Sequence, residues 1–431
     1  MLDPRSGNVI RVGSRRSTLA LLQTQMAIDL LVKKNLGLKF KVVEMTTVGD
    51  RILSVELSKI GDKSLFTKEL EKALLDKEVD FVVHSLKDVP TALPDGLVLG
   101  CIFTRSSPED VVLMAPHNRG LKLRDLPVGS IVGTSAVRRV ATLSRQYPHL
   151  KFVSVRGNLN TRLAKLDGLW TPQSDEPCVS IQTVKYDAII LAKAGVDRMG
   201  WSERIDEVLS TSFHAVSQGA LACECRRHDS FILDLLSRIH NESAALTSIS
   251  ERSLMRQLDG GCSIPISVRS YFTSKGNREH FKLTLHANIL SIDGIKSVEE
   301  SASVIFPETM SVDSNCETDV NPNNHKHNSE GNMSVRENSM KLISSPSELT
   351  GMTKHEDVED ELENIATVGD RDAIICSNKN DDDTSGLNNI LLGALIDLEV
   401  LIPGYILILH HIHLCLSIYC LHYQLGIVFI L

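Results

Sequence analysis

A cysteine flanked by glycine and proline has the most distinctive chemical setting in this sequence. Cys262 lies in the segment 260–265 (GGCSIP), between a predicted helix and a predicted strand. Because glycine is flexible and proline is stiff, such a segment is typical of a loop. A cysteine needed only for packing would normally lie within an apolar periodic run. We therefore predict that Cys262 is accessible and could react as a thiolate.

Arginines recur at or just after the ends of predicted strands. The carboxyl ends of strands are where open α/β sheets bind ligands, and a planar guanidinium matches a carboxylate. The row therefore predicts a ligand with several acid groups. Its members are Arg15, Arg138, Arg139, Arg156, Arg162 and Arg198.

The segment 84–90 (HSLKDVP) places Lys87 and Asp88 at the end of a buried strand. An acid beside so many cations stays ionised and can hold or pass protons. Taken singly, each residue has a plainer explanation. Asp88 would form a salt bridge or cap a turn. Lys87 would be a solvated surface residue, and Cys262 would be an unreactive residue in a turn.

Two strand-to-helix junctions share a pattern of glycine, hydroxyl groups and paired arginines. They are residues 12–16 (VGSRR) and 132–139 (VGTSAVRR). A helix N-terminus presents unpaired N–H groups and the positive end of its dipole, which suits an anion. Either junction alone is explained by ordinary capping and surface arginines. The two together favour anion binding.

The elements that must position these residues alternate between strand and helix. Periodicity predicts strands at 8–13, 39–45, 80–86, 130–134, 151–155 and 187–192. It predicts helices after residue 13, near 66–77, over 138–147 and around 159–166. This alternation predicts mostly parallel sheets in two α/β lobes. Cys223 and Cys225, two residues apart, fit one face of a strand rather than a metal or redox site.

Charge is distributed unevenly along the 431 residues. The net charge is −8, but residues 1–240 hold 33 basic and 27 acidic residues. The front part therefore suits anions. An aromatic content of 4%, without a basic block, argues against nucleic acid and favours small polycarboxylates or phosphates. Nine irregularly spaced cysteines and a polar N-terminus without a secretory pattern predict reduced thiols in the cytoplasm.

Three segments do not fit the regular pattern. Residues 168–184 have the composition of a loop insertion, and the polar stretch 307–385 that of a disordered one. Residues 400–431 contain no charged side chain apart from histidines. A membrane anchor and an alternative or mispredicted C-terminus both stay open for this tail. We expect no membrane association, because Pro403, Gly404 and four histidines interrupt it and no basic flank precedes it.

Several ordered blocks resemble the porphobilinogen deaminase (hydroxymethylbilane synthase) family, over about residues 8–300. They are residues 10–15, 63–70, 84–90, 132–135, 156–162, 218–221 and 260–265. Two positions depart from the family pattern. Ala136 stands where many relatives have Ser, and Ser217 replaces the usual Gly before Gln218.

The resemblance implies a transferase that condenses four porphobilinogen molecules head to tail, with release of four ammonia, to give hydroxymethylbilane in haem biosynthesis. It implies a dipyrromethane cofactor joined covalently to Cys262, with Asp88 as the catalytic residue. It implies cofactor contacts from Lys87, Arg138, Arg139, Arg156, Arg162, Thr134, Ser135 and Gln218. Substrate contacts are implied for Arg15, Ser17, Arg198 and Arg156, and residues 46–61 match the family's mobile flap.

The resemblance also implies an α/β fold of three domains. Two lobes resemble periplasmic binding proteins, with mostly parallel or mixed sheets, and a smaller C-terminal α/β domain carries Cys262. The expected boundaries are 1–105 with 217–239, 106–216, and 240–306 with about 386–431. We expect a monomer without a metal ion. The alternative is a non-catalytic two-lobed protein that binds a polycarboxylate or another anion.

Overall fold

The computed structural model describes residues 9–34, 37–51, 65–171, 184–209, 213–258, 264–275, 280–307, 401–402 and 405–406. All of them belong to one compact unit, comprising residues 1–317 and 380–431. The remaining unit, 318–379, lies outside the described residues. So do Cys262, residues 172–183 of the insertion expected at 168–184, residues 308–385 of the stretch expected to be disordered, most of the expected flap and the tail from 407 onward.

The strands are named in chain order. They are β1 (Ile10–Arg15), β2 (Phe40–Met45), β3 (Phe81–Ser85), β4 (Leu97–Arg105), β5 (Asp110–Met114), β6 (Ile131–Gly133), β7 (Lys151–Val153), β8 (Ala188–Ala192), β9 (Glu207–Leu209), β10 (Ala220–Arg226), β11 (Ile266–Lys275), β12 (His280–Leu290), β13 (Ser297–Pro307), β14 (Leu401–Ile402) and β15 (Tyr405–Ile406).

The helices are named in the same way. They are α1 (Thr18–Lys34), α2 (Val48–Arg51), α3 (Lys68–Leu75), α4 (Val137–Gln146), α5 (Leu159–Leu166), α6 (Lys193–Arg198), α7 (Ser230–Ser237) and α8 (Glu242–Gln257). Short 3₁₀ turns connect several elements, and one of them, Leu86–Asp88, follows β3 directly.

Two five-stranded sheets and one three-stranded sheet form the framework. The first sheet has the order β2-β1-β3-β10-β4, and the second has the order β7-β6-β8-β5-β9. β1 is parallel to both of its neighbours, and β6 likewise. β10 and β5 run antiparallel to theirs. β11, β12 and β13 form an antiparallel meander. The expected α/β fold with two lobes and a smaller C-terminal unit is confirmed, and both large sheets are mixed.

Apolar side chains explain why these segments pair and pack. All five residues of β5 are buried, as expected for a strand covered on both faces. Leu70 and Leu74 of α3 are fully buried, as their spacing of four predicts. Cys223 and Cys225 lie in the core of the first sheet, which confirms their placement on one face of a strand.

Helix α1 buries a face that mixes polar and apolar side chains. Leu22 is 39% exposed, whereas Gln23, Thr24, Ala27, Ile28 and Leu31 are buried. The polar members of this face have hydrogen-bond partners, since Thr24 Oγ1 donates to Ser14 Oγ at 2.9 Å. The buried face of α1 therefore includes polar groups whose hydrogen bonds are satisfied.

Within the part of the chain that the structure describes, no helix combines the length and the apolar character needed to cross a bilayer.

Candidate functional site

Two chain crossings connect the first and second sheets and run side by side. Residues 106–109 lead from β4 to β5, and the second crossing ends at 213–219 before β10. Ser106 N donates to Gly219 O at 3.1 Å, and Gln218 Nε2 donates to Pro108 O at 2.5 Å. Gly219 has φ +89°, and a Cβ there would lie 2.1 Å from Ser106 O. Only glycine fits this contact.

A pocket opens beside these crossings and draws its lining from both sheets. Cationic side chains come from the turn after β3 and from α4, α5 and α6: Lys87, Arg139, Arg162 and Arg198. Gln23 and Ser85, which exchange hydrogen bonds, add neutral polar groups. The lining residues that the structure describes include no carboxylate. The pocket is therefore strongly electropositive, as a site for a polyanion must be.

Asp110 organises the arginine pair at the start of α4. It is 4% exposed and accepts hydrogen bonds from Arg138 Nη2 at 2.7 Å, Arg139 Nη2 at 2.8 Å and Gln218 Nε2 at 2.9 Å. Burial alone would raise the pKa of Asp110, but the charges of the two guanidinium groups outweigh it. They hold the pKa of this carboxyl well below its usual range. One acid therefore fixes two cations and the second crossing together.

Lys87 and Asp88 lie on the 3₁₀ turn that follows β3. Lys87 lines the pocket, and its Nζ is 3.5 Å from Gln218 Oε1. Burial lowers the pKa of Lys87, although the Asp88 charge opposes the shift. The Asp88 side chain is exposed. This turn therefore presents a desolvated cation and a solvated acid next to each other.

Arg162, on α5, shares the electrostatic environment of the turn. Its Nε donates to Gly157 O at 2.8 Å. Burial, together with the positive charges of Arg139 and Arg156, lowers the pKa of Arg162 to about 10, although the Asp88 charge opposes the shift. The predicted residues of both lobes are therefore close enough for their charges to interact.

Arg198 links α6 to both crossings. Its Nη2 donates to Gly219 O at 2.6 Å and to Ser106 Oγ at 3.1 Å. Burial lowers the pKa of Arg198 to about 10, so the group is protonated at pH 7. The Nε atoms of Arg198 and Arg139 are buried and have no hydrogen-bond partner among the described residues. These two Nε–H groups are therefore candidate donors to a bound ligand.

Arg15 has different surroundings, although it also lies at the end of a strand. Its guanidinium is paired with Asp50 through Nη2, and its Cζ is 4.4 Å from the centroid of the Phe66 ring. Asp50 also accepts from Thr47 Oγ1 at 2.8 Å. Ser17 Oγ accepts from Ala20 N at 3.3 Å in the first turn of α1. Neither Arg15 nor Ser17 lines the pocket.

The hydroxyl groups of the second junction serve the local structure. Ser135 Oγ donates to Val155 O at 2.6 Å and lies 3.0 Å from Ser154 Oγ. Thr134 is buried, and its Oγ1 accepts from Ala136 N at 3.4 Å. The Ser135 contacts join the segment that follows β6 to the segment that follows β7.

The elements on either side of the predicted cysteine loop are present. α8 ends at Gln257 and β11 begins at Ile266, as the sequence predicts for a loop between a helix and a strand. Cys262 itself lies outside the described residues. Its accessibility stays a prediction.

Sequence reasoning missed Asp110, Gln23 and Ser85. Asp110 opens an apolar run, so its sequence neighbours suggest only a buried strand. Its partners are 28, 29 and 108 residues away in the chain. A charged residue at the start of a buried strand was the one available signal, because such a residue needs a partner.

These residues fit a cofactor that carries carboxylates. The pocket combines cationic donors on several elements, two buried Nε atoms without a described partner, and apolar surface from Leu159, Leu191 and Ala192. Carboxylates would satisfy the donors, and flat rings would cover the apolar surface. Pyrrole rings with acid side chains have both properties.

Comparison with known proteins gives a consistent family. Residues 10–234 match the family described as porphobilinogen deaminase, dipyromethane cofactor binding domain. Residues 245–314 match the C-terminal domain of porphobilinogen deaminase. Among solved structures, the periplasmic aliphatic sulphonate binding protein SsuA from Escherichia coli is 16% identical, with a TM-score of 0.31 over 59% of this chain and 75% of that chain. That similarity is too low to support an argument.

Curated relatives named porphobilinogen deaminase match about two thirds of this chain. The protein of Gloeobacter violaceus is 49% identical over 66% of this chain and 81% of its own length. The proteins of Synechococcus elongatus and Prochlorococcus marinus are 45% and 44% identical, over 68% and 70% of this chain and 86% and 91% of theirs. The chain therefore belongs to the porphobilinogen deaminase family.

Proposed function

We propose that this protein condenses four porphobilinogen molecules head to tail, releases four ammonia, and yields hydroxymethylbilane for tetrapyrrole and haem biosynthesis. The observation that carries the proposal is the electropositive pocket at the two crossings, within a chain of this family. When bound, the dipyrromethane cofactor supplies the pyrrole carbon to which the first substrate is joined. Cys262 is the proposed attachment residue, because a thioether needs a soft nucleophile.

The cationic residues have the proposed role of binding acetate and propionate groups. Lys87, Arg138, Arg139, Arg156, Arg162, Thr134, Ser135 and Gln218 would hold the cofactor, and Arg15, Ser17, Arg198 and Arg156 the incoming substrate. Each porphobilinogen brings two carboxylates, so like-charge repulsion grows with every addition. Cations already fixed by Asp110 and by the crossings reduce this repulsion without reorganising.

Asp88 is the proposed catalytic residue. Its exposed carboxylate lies beside Lys87 at the end of β3, where it can face a substrate held by the arginines. There it would accept a hydrogen bond from the pyrrole N–H of the substrate. It would also stabilise the positive charge that develops on that ring as the amino group leaves.

The finer aspects of the proposal rest on the family resemblance. The protein would act as a monomer in the cytoplasm, without a metal ion and without nucleic acid or membrane as partner. Its domains would comprise 1–105 with 217–239, 106–216, and 240–306 with about 386–431. The course of the chain from one large sheet to the other and back supports the first two.

The rival proposal is a protein that only binds a polyanion, and Cys262 separates the two. Intact-mass measurement of the purified protein should show an adduct of two linked pyrrole units that is absent from Cys262→Ala. Cys225→Ala is the matched control, because Cys225 is buried in the core and should leave the adduct in place. An unmodified wild-type mass, in protein that binds polycarboxylates, would favour the binding protein.

The role of Asp88 has its own test. Asp88→Asn should keep the adduct and reduce turnover by about 10²-fold or more, the scale for positioned acid–base groups. Asp95→Asn is the control: it removes another exposed acid, two residues before β4 begins, and should leave turnover unchanged. Turnover of Asp88→Asn close to that of wild type would demote Asp88 to a structural role.

A further inference from the structure

We propose that Arg252 is a positioning residue that holds the turn bearing Asp88 in place, an inference that rests on the proposed function of Asp88. Arg252 lies on α8 and is 7% exposed. Its Nη1 donates to Val89 O at 2.9 Å and to Leu86 O at 3.4 Å, and its Nη2 donates to Pro90 O at 2.5 Å. One guanidinium therefore binds carbonyl groups on both sides of Asp88.

Apolar contacts fix the same turn and leave Asp88 free to face solvent. Leu86 is 0% exposed and Val89 is 2% exposed, and both pack in a cluster with Ala244 and Ala245 of α8. The side chain of Asp88, between them, is exposed. The turn is thus attached to α8 at its two ends. Arg252 satisfies the carbonyl groups that this attachment buries.

The cost of the arrangement indicates a role beyond packing. Arg252 is close enough to the fully buried Glu224 for their charges to interact, and Glu224 Oε2 lies 3.0 Å from His84 Nε2. Burial lowers the pKa of Arg252 to about 10, which still leaves the guanidinium charged at pH 7. Burying a charge costs folding free energy, and a protein with apolar residues of similar volume in place of buried charges is often equally stable. A guanidinium, however, presents several N–H donors in a fixed planar arrangement, which an apolar residue cannot do.

The chain offers a matched control in Arg226 on β10. The Arg226 guanidinium also donates to two backbone carbonyl groups, Leu74 O at 2.9 Å and Val79 O at 2.7 Å. Those carbonyls belong to α3 and to the loop before β3, at the opposite end of β3 from Asp88. Arg226 Nη2 also pairs with Asp229 Oδ2 at 2.8 Å, so loss of this clamp should cost stability as well, but without moving Asp88.

The experiment compares Arg252→Met and Arg226→Met by intact mass and by steady-state kinetics. We expect both to carry the pyrrole adduct. Arg252→Met should lose about tenfold or more in kcat, with KM changed less than about twofold, because a misplaced catalytic group costs rate. Arg226→Met should keep the wild-type kcat. Arg252→Lys, which can still donate to a carbonyl, should recover part of the loss.

A double-mutant cycle with Asp88→Asn separates positioning from general structure. If Arg252 acts through Asp88, adding Arg252→Met to Asp88→Asn should change kcat by less than about twofold. Fully additive losses, or equal losses in Arg252→Met and Arg226→Met, would overturn the inference. If Arg252→Met does not fold, the cycle is measured with Arg252→Lys. A wild type without an adduct would instead contradict the proposed function.

Discussion

The two strand-to-helix junctions share a sequence pattern but differ in how their arginines are held. At the second junction, Arg138 and Arg139 are buried and share Asp110, which also binds Gln218. At the first, Arg15 is partly exposed and paired with Asp50, which comes from the segment after β2. The second junction is tied to the crossings between the sheets, whereas the first is tied to the short helix α2.

This difference between the junctions determines which arginine side chains stay in place and which can exchange their carboxylate partner. A buried acid shared by two guanidinium groups is costly to disrupt, since its removal leaves uncompensated buried charge. A pair that is partly exposed can open at little cost. We infer that Asp110 holds Arg139 permanently in the lining of the pocket, with Arg138 fixed behind it on the same carboxylate. For the substrate-binding role proposed for Arg15, this means that Arg15 can release Asp50 in exchange for a substrate carboxylate.

The largest expected effect comes from removing the acid at each junction in turn. Asp110→Asn should lower the free energy of unfolding by about 3 kcal/mol or more, because it breaks a buried charge network. Asp50→Asn should lower it by about 1 kcal/mol or less. Urea unfolding at pH 7 measures both. Equal losses would mean that the two junctions are held alike.

A smaller effect tests what the junctions have in common, namely a glycine packed against apolar side chains. A Cβ on Gly13 would lie 2.6 Å from Val82 Cγ1, and one on Gly133 would lie 2.9 Å from Ile189 Cγ2. Gly13→Ala and Gly133→Ala should each cost about 1–3 kcal/mol by overpacking. Thermal unfolding of both variants checks this. A loss at one position alone would show that the glycines serve different purposes.

The smallest effect is a difference in acid stability. The folded-state pKa of Asp110 is lowered, so its contribution is complete above the unfolded pKa of about 3.9 and is lost as the pH falls below that value. Between pH 7 and pH 3 the wild type should lose roughly 1 kcal/mol more than Asp110→Asn. Unfolding curves across this range measure the difference. Parallel losses in the two proteins would contradict the lowered pKa.

Local sequence was sufficient to predict the strands and helices and to identify the cationic residues of the pocket. The alternation of strands and helices is confirmed, with helix 159–166 matching its predicted ends. Arg139, Arg162, Arg198 and Lys87 all line one pocket, as their positions after predicted strands suggest. These features depend on periodicity and on strand ends, which a sequence displays directly.

Hydrogen bonds between residues far apart in the chain could not be predicted from local sequence. Nothing near Asp110 in the chain indicates that Arg138, Arg139 and Gln218 will meet there. Arg252 contacts carbonyl groups more than 160 residues away. Antiparallel β10 enters the first sheet after the chain has completed the second, so α/β alternation alone could not predict it. Such contacts arise only when separate elements pack together.

Ser217 and Gly219 give the crossings a further consequence. Ser217 adopts φ 58°, a left-handed conformation that favours glycine, and its N–H donates to buried Glu251 at 2.7 Å. Gly219 leaves no space for a side chain next to Ser106. The two strips of backbone therefore cannot bend independently. We therefore expect the two crossings to act as one hinge, so that one lobe rotates against the other about a single axis. As the product grows, the lobes would have to separate by rotation about this hinge.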